Sequence, residues 1–225
     1  MRASPSTATF NPPEFPDDAR QSFWTPHAEA VRYRPDKDEA LTNWGTALVA
    51  LAEEQTGPER LLLRREACDR YAEAVRHKPD KHEALRGWGL ALSELASEHT
   101  GSERIALRRE AIERYREAAR AGAGPPALDS QASQLLWLQY DLPDERDALL
   151  AEAHSCCLEA NALSPGFADY NLACIASLRA EFDEAERLLR IVLERELGKH
   201  RPLDDPDLAP LFAARPGLRE LVHPT

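Results

Sequence analysis

The chain has 225 residues, 43% of them hydrophobic and 30% charged, with a formal net charge of -11 and a pI near 5.2. That length can bury a core in one large domain or two small ones, and that charge opposes capture of DNA, RNA or an anionic membrane, so no nucleic-acid partner is expected. A composition rich in Ala, Leu and charged residues, with only 10 glycines, reads as helices rather than strands.

Residues 1–19, rich in Pro, Ser and Thr, read as a disordered tail. No apolar stretch there resembles a signal-peptide core, and nowhere do about 18 apolar residues run together, so neither secretion by that route nor membrane insertion is expected. Residues 20–34 read as a partial helix packing on the first full unit of a repeat. Residues 29 to 72 realign onto 73 to 116 at a shift of 44, with about 28 identical pairs. The echo is plainest in "ALTNWGTAL" at 40–48 and "ALRGWGLAL" at 84–92.

Within the first copy apolar residues step by three and four, through Leu41, Trp44, Leu48 and Leu51, then Leu63, Ala67, Tyr71 and Ala74. Each copy is therefore two amphipathic helices, with Trp44 and Trp88 expected in the interior. The breaks are "QTGPER" and "HTGSER", where Gly closes one helix and Thr-x-x-Glu opens the next as a capping box. Proline in "RYRPDK" and "HKPDK" ends a unit by disfavouring helix at the residue before it.

Further along, "AGAGPPALDS" at 121–130 reads as a linker, and "SQLLWLQY" as part of a helix whose register the pattern does not define. Residues 144 to 165 place Ala153, Cys157, Ala160 and Pro165 at the second-helix spacing. "DYNLACIASL" and "FDEAERLL" come next as a fourth pair, then "LDDPDLAPLFAARPGLREL" as a short helical cap.

These motifs resemble the tetratricopeptide repeat family: "A-L-x-x-W-G-x-x-L" is similar to its first helix, and Ala67, Tyr71, Ala74 and Pro79, echoed by Ala111, Tyr115 and Ala118, to its second. The departure is length, 44 residues against about 34, which lengthens both helices at about 1.5 Å per residue. The resemblance implies an all-α, right-handed α-solenoid of antiparallel helix pairs over residues 20–222, with repeats at about 38–79, 82–121, 127–165 and 167–197 and a cap at about 205–222. It also implies that a large apolar residue beside a small one locks each helix to its pair. The terminal unit looks like that of bacterial repeat proteins, and with the high Ala and Arg content suggests a bacterial source. Cysteines without CxxC spacing fit a reducing compartment, so the expected location is cytoplasmic.

Candidate chemistry is sparse. The histidines, at 27, 77, 82, 99, 154, 200 and 223, lack HxxxH spacing, so no metal is expected. Cys68, Cys157 and Cys174 fall on apolar helix positions, while Cys156 is expected to be the exposed one. No phosphate loop or nucleophile motif appears, and the acidic pair at 204 and 205 reads as loop and capping residues, so neither enzyme activity nor a cofactor is expected. The "RRE" runs at 64–66 and 108–110 read as solvated faces paired along their own helices.

The resemblance implies a concave surface lined by the first helices, binding a peptide or helix of another protein. Carried onto this chain, its groove positions are Thr42, Thr46 and Val49, then Arg86, Leu90 and Ser93, then Tyr170, Cys174 and Ser177. Arg86 would hold a carboxylate through its forked donors. With Thr42 and Thr46 where Lys and Asn are needed, the clamp for acidic chaperone C-termini is not expected. The leading expectation is a non-enzymatic interaction adaptor. The alternatives are a scaffold that self-associates, a neighbour's tail lying in the groove, and a regulatory subunit of an enzyme or defence complex.

Overall fold

The computed structural model describes residues 37–195 and 202–222. The expected tail at 1–19 and partial helix at 20–34 lie outside the described residues. What is described is helical, with no strand. Four pairs run in chain order: α1 (Lys37–Glu53) with α2 (Gly57–His77), α3 (His82–Glu98) with α4 (Gly101–Ala118), α5 (Pro125–Asp141) with α6 (Arg146–Leu163), and α7 (Asp169–Leu178) with α8 (Phe182–Arg195). Each pair also packs on the next, and α1 touches α3 as α5 touches α7, so the first helices share one inner face. This is the expected α-solenoid. Two short 3-10 turns, α9 (Ala209–Ala214) and α10 (Leu218–Val222) complete it.

The repeated Trp-Gly pair has a steric cause. A Cβ on Gly45 would lie 2.8 Å from Cε1 of Tyr71, and one on Gly89 would lie 2.8 Å from Cε1 of Tyr115. Each tyrosine of a second helix thus lies against a glycine of the first, and both rings are buried. Tyr71 is hemmed in by the next unit too, since a Cβ on Gly87 would come within 2.5 Å of its Cζ. One aromatic ring therefore sets both the spacing within a unit and the spacing to its neighbour. Trp44 is buried as expected. Trp88 is only partly buried, with the Arg114 guanidinium 4.6 Å over its ring, as Arg70 lies 4.8 Å over Trp44.

The turns differ from the expected capping boxes. Thr56 and Thr100 sit extended at the N-cap positions, but neither makes a side-chain capping bond. Gly57 and Gly101 make the turns instead, at φ +62° and +61°, in the left-handed region where a Cβ is strained. The expected linker at 121–130 is mostly helix. After α4 the chain passes through a five-residue π turn, Ala119–Ala123, reverses at Gly122 and Gly124 with φ +93° and +67°, and enters α5 at Pro125. Proline suits that first position because its missing N–H has no intrahelical acceptor there.

The "RRE" runs are solvated only in part: Arg65, Arg109 and Glu110 are exposed as expected, but the leading arginines are not. Arg64 and Arg108 are buried, and both reach across units rather than along their own helices. Arg64 pairs with Glu94 at 2.9 Å and Glu98 at 3.3 Å on α3. Arg108 donates to Gln134 at 3.1 Å and faces Asp141 on α5, which Arg104 also engages. Among the cysteines, Cys156 is buried and Cys68 is the partly exposed one, the reverse of expectation. The register of α6 turns Cys156 inward beside Cys157, and both join the core shared by the third and fourth units.

Candidate functional site

The inner face carries the expected groove positions in three different environments. On α1, Thr42 and Val49 are buried, Thr42 donating to its own helix at the Asp38 carbonyl, 2.6 Å. Thr46 is exposed and lies 3.1 Å from the Tyr71 hydroxyl. On α3, Arg86 is exposed, Leu90 is 45% exposed, and Ser93 is half-buried, bonded to the Gly89 carbonyl at 2.7 Å and 3.4 Å from the Tyr115 hydroxyl. No ion pair engages Arg86 among the described residues. The open part of the face is thus Thr46, Arg86, Leu90 and Ser93.

On α7 the expected positions are covered by the chain itself. Cys174 and Ser177 are buried beneath the C-terminal segment, and Ser177 Oγ accepts the Leu211 amide at 3.1 Å. Tyr170 is half-buried and donates to Asp205 Oδ2 at 2.7 Å. Leu208, Leu211 and Phe212 are buried with them. The cap therefore lies across the inner helix of the fourth unit rather than merely closing its end, so Ser177 is enclosed and Cys174 meets only the cavity beneath the cap.

The inner face also includes α5, whose register the sequence pattern left undefined. Asp129, Ser133 and Trp137, at steps of four, line a cavity of about 480 Å³ together with Phe167, Tyr170 and the C-terminal segment. Trp137 and Phe167 are nearly half exposed. At its floor Cys174 Sγ and carboxylate oxygens of Asp205 and Asp207 lie within 4.8 Å of one another. Asp205 caps the Asp207 amide at 2.9 Å, and Tyr140 donates to Asp207 at 2.5 Å. Burial pushes the Asp207 carboxyl up to about 6, with Asp205 adding to the rise and the Tyr140 bond opposing it. The Cys174 thiol, also pushed well up by burial, donates towards Asp205 at 3.8 Å. The step Asp129, Ser133, Trp137 was the signal in the sequence. It was obscured because the preceding glycines read as a linker.

Paired helices whose first members line one face define a tetratricopeptide-like helical repeat protein. A family model described as plant specific mitochondrial import receptor subunit TOM20 matches residues 25–97, which among the described residues is α1, α2 and nearly all of α3. Comparison with curated proteins finds no match. The matched family overturns two expectations. Its description is plant specific and mitochondrial, so neither a bacterial source nor a simply cytoplasmic location stands. It also describes a receptor subunit rather than an enzyme. Among the described residues no helix is long and apolar enough to cross a membrane.

Proposed function

We propose that this chain is an interaction adaptor of receptor type, which takes a segment of another protein onto its inner face. The observation that carries the reading is the open patch at the middle of that face, where Arg86 has no ion pair among the described residues and Leu90 projects half exposed beside it. An exposed apolar side chain next to an unspent guanidinium suits a short segment with an apolar anchor and a carboxylate. The matched model adds support, because it covers Arg86 and Leu90 and its family is described as an import receptor subunit. On this reading the cargo is a protein bound for an organelle.

The test places a photo-crosslinking residue at position 90 and, in a separate protein, at position 62 on the outer helix α2, where Leu62 is also exposed. Crosslinks to another protein at 90 and none at 62 are expected, and they should vanish on adding Arg86→Glu. Crosslinks confined to position 62 would move the interface to the outer helices and end the inner-face reading.

A further inference from the structure

We infer that the cavity between α5, α7 and the C-terminal segment is a pocket for a single arginine or lysine side chain of a bound protein segment. The inference rests on the adaptor reading for the source of that side chain, and it concerns a part of the chain, residues 129 to 207, that lies beyond the matched residues.

The cavity has the two parts that such a side chain needs. Its mouth is aromatic: Trp137 and Phe167 are 48% and 46% exposed, and such surfaces cover the aliphatic stem of a long cationic residue. Its floor is anionic. Among the described residues Asp205 accepts from the Tyr170 hydroxyl, the Cys174 thiol and the Asp207 amide, and Asp207 accepts from the Tyr140 hydroxyl. All these donors are neutral. Among the described residues no cation lies within ion-pair distance of either carboxylate. Arg146 acts on Asp207 only from a distance and donates to the Leu178 carbonyl at 3.3 Å. Arg195, the one cation among the described residues that line the cavity, is paired with Asp169 at 3.2 Å.

Two adjacent carboxylates whose described partners are neutral donors, at the bottom of an aromatic-walled cavity, place negative charge in a region of reduced dielectric, relieved among the described residues only by Arg146 from a distance. There a guanidinium or ammonium gains more than it would at the open surface. The volume, about 480 Å³, is in the range of small-ligand pockets, and the half-exposed Trp137 and Phe167 in its lining are open to solvent among the described residues. A metal ion is the rival occupant of the same donors. It is disfavoured because the three groups offer few donors and the Cys174 thiol, turned to Asp205 and pushed up by burial, would first have to give up its proton.

The experiment is a nitrogen-15 NMR titration of the full chain, in EDTA, with Nα-acetyl-arginine amide and with its neutral isostere Nα-acetyl-citrulline amide. The arginine probe should move the Trp137 indole and the side-chain amide of Asn171, which also lines the cavity and donates to Asp129 at 2.7 Å, in a saturable way, and the citrulline probe should bind at least tenfold more weakly. Trp137→Ala, at an exposed position, should keep the fold and weaken the arginine response at Asn171 several-fold, and Asp205→Asn should weaken it at least tenfold. Equal responses to the two probes, or a response unchanged in both variants, would overturn the inference. So would silence towards the arginine probe together with a response to zinc ions once EDTA is removed, which would assign the donors to a metal. The two proposals fail separately: crosslinks at position 90 with a silent arginine probe cost only the pocket, and a responsive pocket without those crosslinks costs only the adaptor reading.

Discussion

Glycine acts in two opposite ways in this chain, and substitution separates them. Gly45→Ala and Gly89→Ala each drive a methyl against a buried tyrosine ring, and Tyr71 is blocked on its far side by the backbone at Gly87. Overpacking of this kind costs about 1 to 3 kcal/mol, which outweighs the gain of up to about 1 kcal/mol from alanine's helix propensity. Gly57→Ala meets no atom within 4 Å but must hold φ +62°, a strain of about 1 to 2 kcal/mol. Urea unfolding should therefore show all three destabilised, and Tyr71→Leu should relieve Gly45→Ala while leaving Gly57→Ala unchanged. Trp44→Ala should cost about 3 to 5 kcal/mol, and Trp88→Ala less because its ring is only partly buried. Acid groups supply a further residue-scale test. Burial raises the Glu66 carboxyl to about 7 against the partial relief of Arg70. An acid whose folded pKa lies above its unfolded one penalises the fold when ionised. The penalty is full above about 7 and gone below the ordinary value of 4.5. Glu66→Gln should raise the melting temperature at pH 8, with the advantage shrinking to nothing near pH 4; an equal effect at both pH values would mean that Glu66 is not desolvated.

At the scale of elements, what the sequence made legible was what repeats. Periodicity and the shift of 44 marked α1 to α4 closely, because Trp44, Gly45, Tyr71 and their copies recur at helical steps. The starts of α2 and α4 were legible for a reason that was only partly right, since the glycines and not the threonine side chains make the turns. What could not be read was pairing between units. Arg64 and Arg108 look like members of solvated runs, and only the packing of α2 on α3 and of α4 on α5 shows that they bridge units while buried. The same blindness hid half of the site. Asp129, Ser133 and Trp137 became inner-face residues only once α5 was known to begin at Pro125, and Asp205 and Asp207 reach them from far along the chain. Arg108→Met should make this visible. It leaves Asp141 to Arg104 and Gln134 without its donor, so the loss should fall on the joint between α4 and α5. Hydrogen exchange should speed up in α5 and α6 and stay at the parental rate in α1 and α2.

The whole molecule is one array in which local packing is continuous but the inner face is not uniform. Its first half is open around Arg86 and Leu90, whereas its second half is narrowed by residues 202–214 lying on α7. That division bears on the rival reading, in which a neighbouring copy's tail fills the groove. An inserted tail would find the fourth unit's inner helix already covered, and a formal charge of -11 on each copy opposes close approach of two chains. The exposed apolar residues on the outer helices are divided between Leu62 on α2 and Leu158 and Leu163 on α6, two units further along, and so form no continuous docking stripe. Size-exclusion chromatography with light scattering, on the full chain and on a version beginning at Arg20, should accordingly give the mass of a single chain for both at micromolar concentration. Oligomers in the full chain that collapse on truncation would instead make the first 19 residues the groove's occupant. The open patch at Arg86 and Leu90 would then be an assembly contact between copies, and the crosslinks expected at position 90 would join two copies of this chain rather than a chain and its cargo.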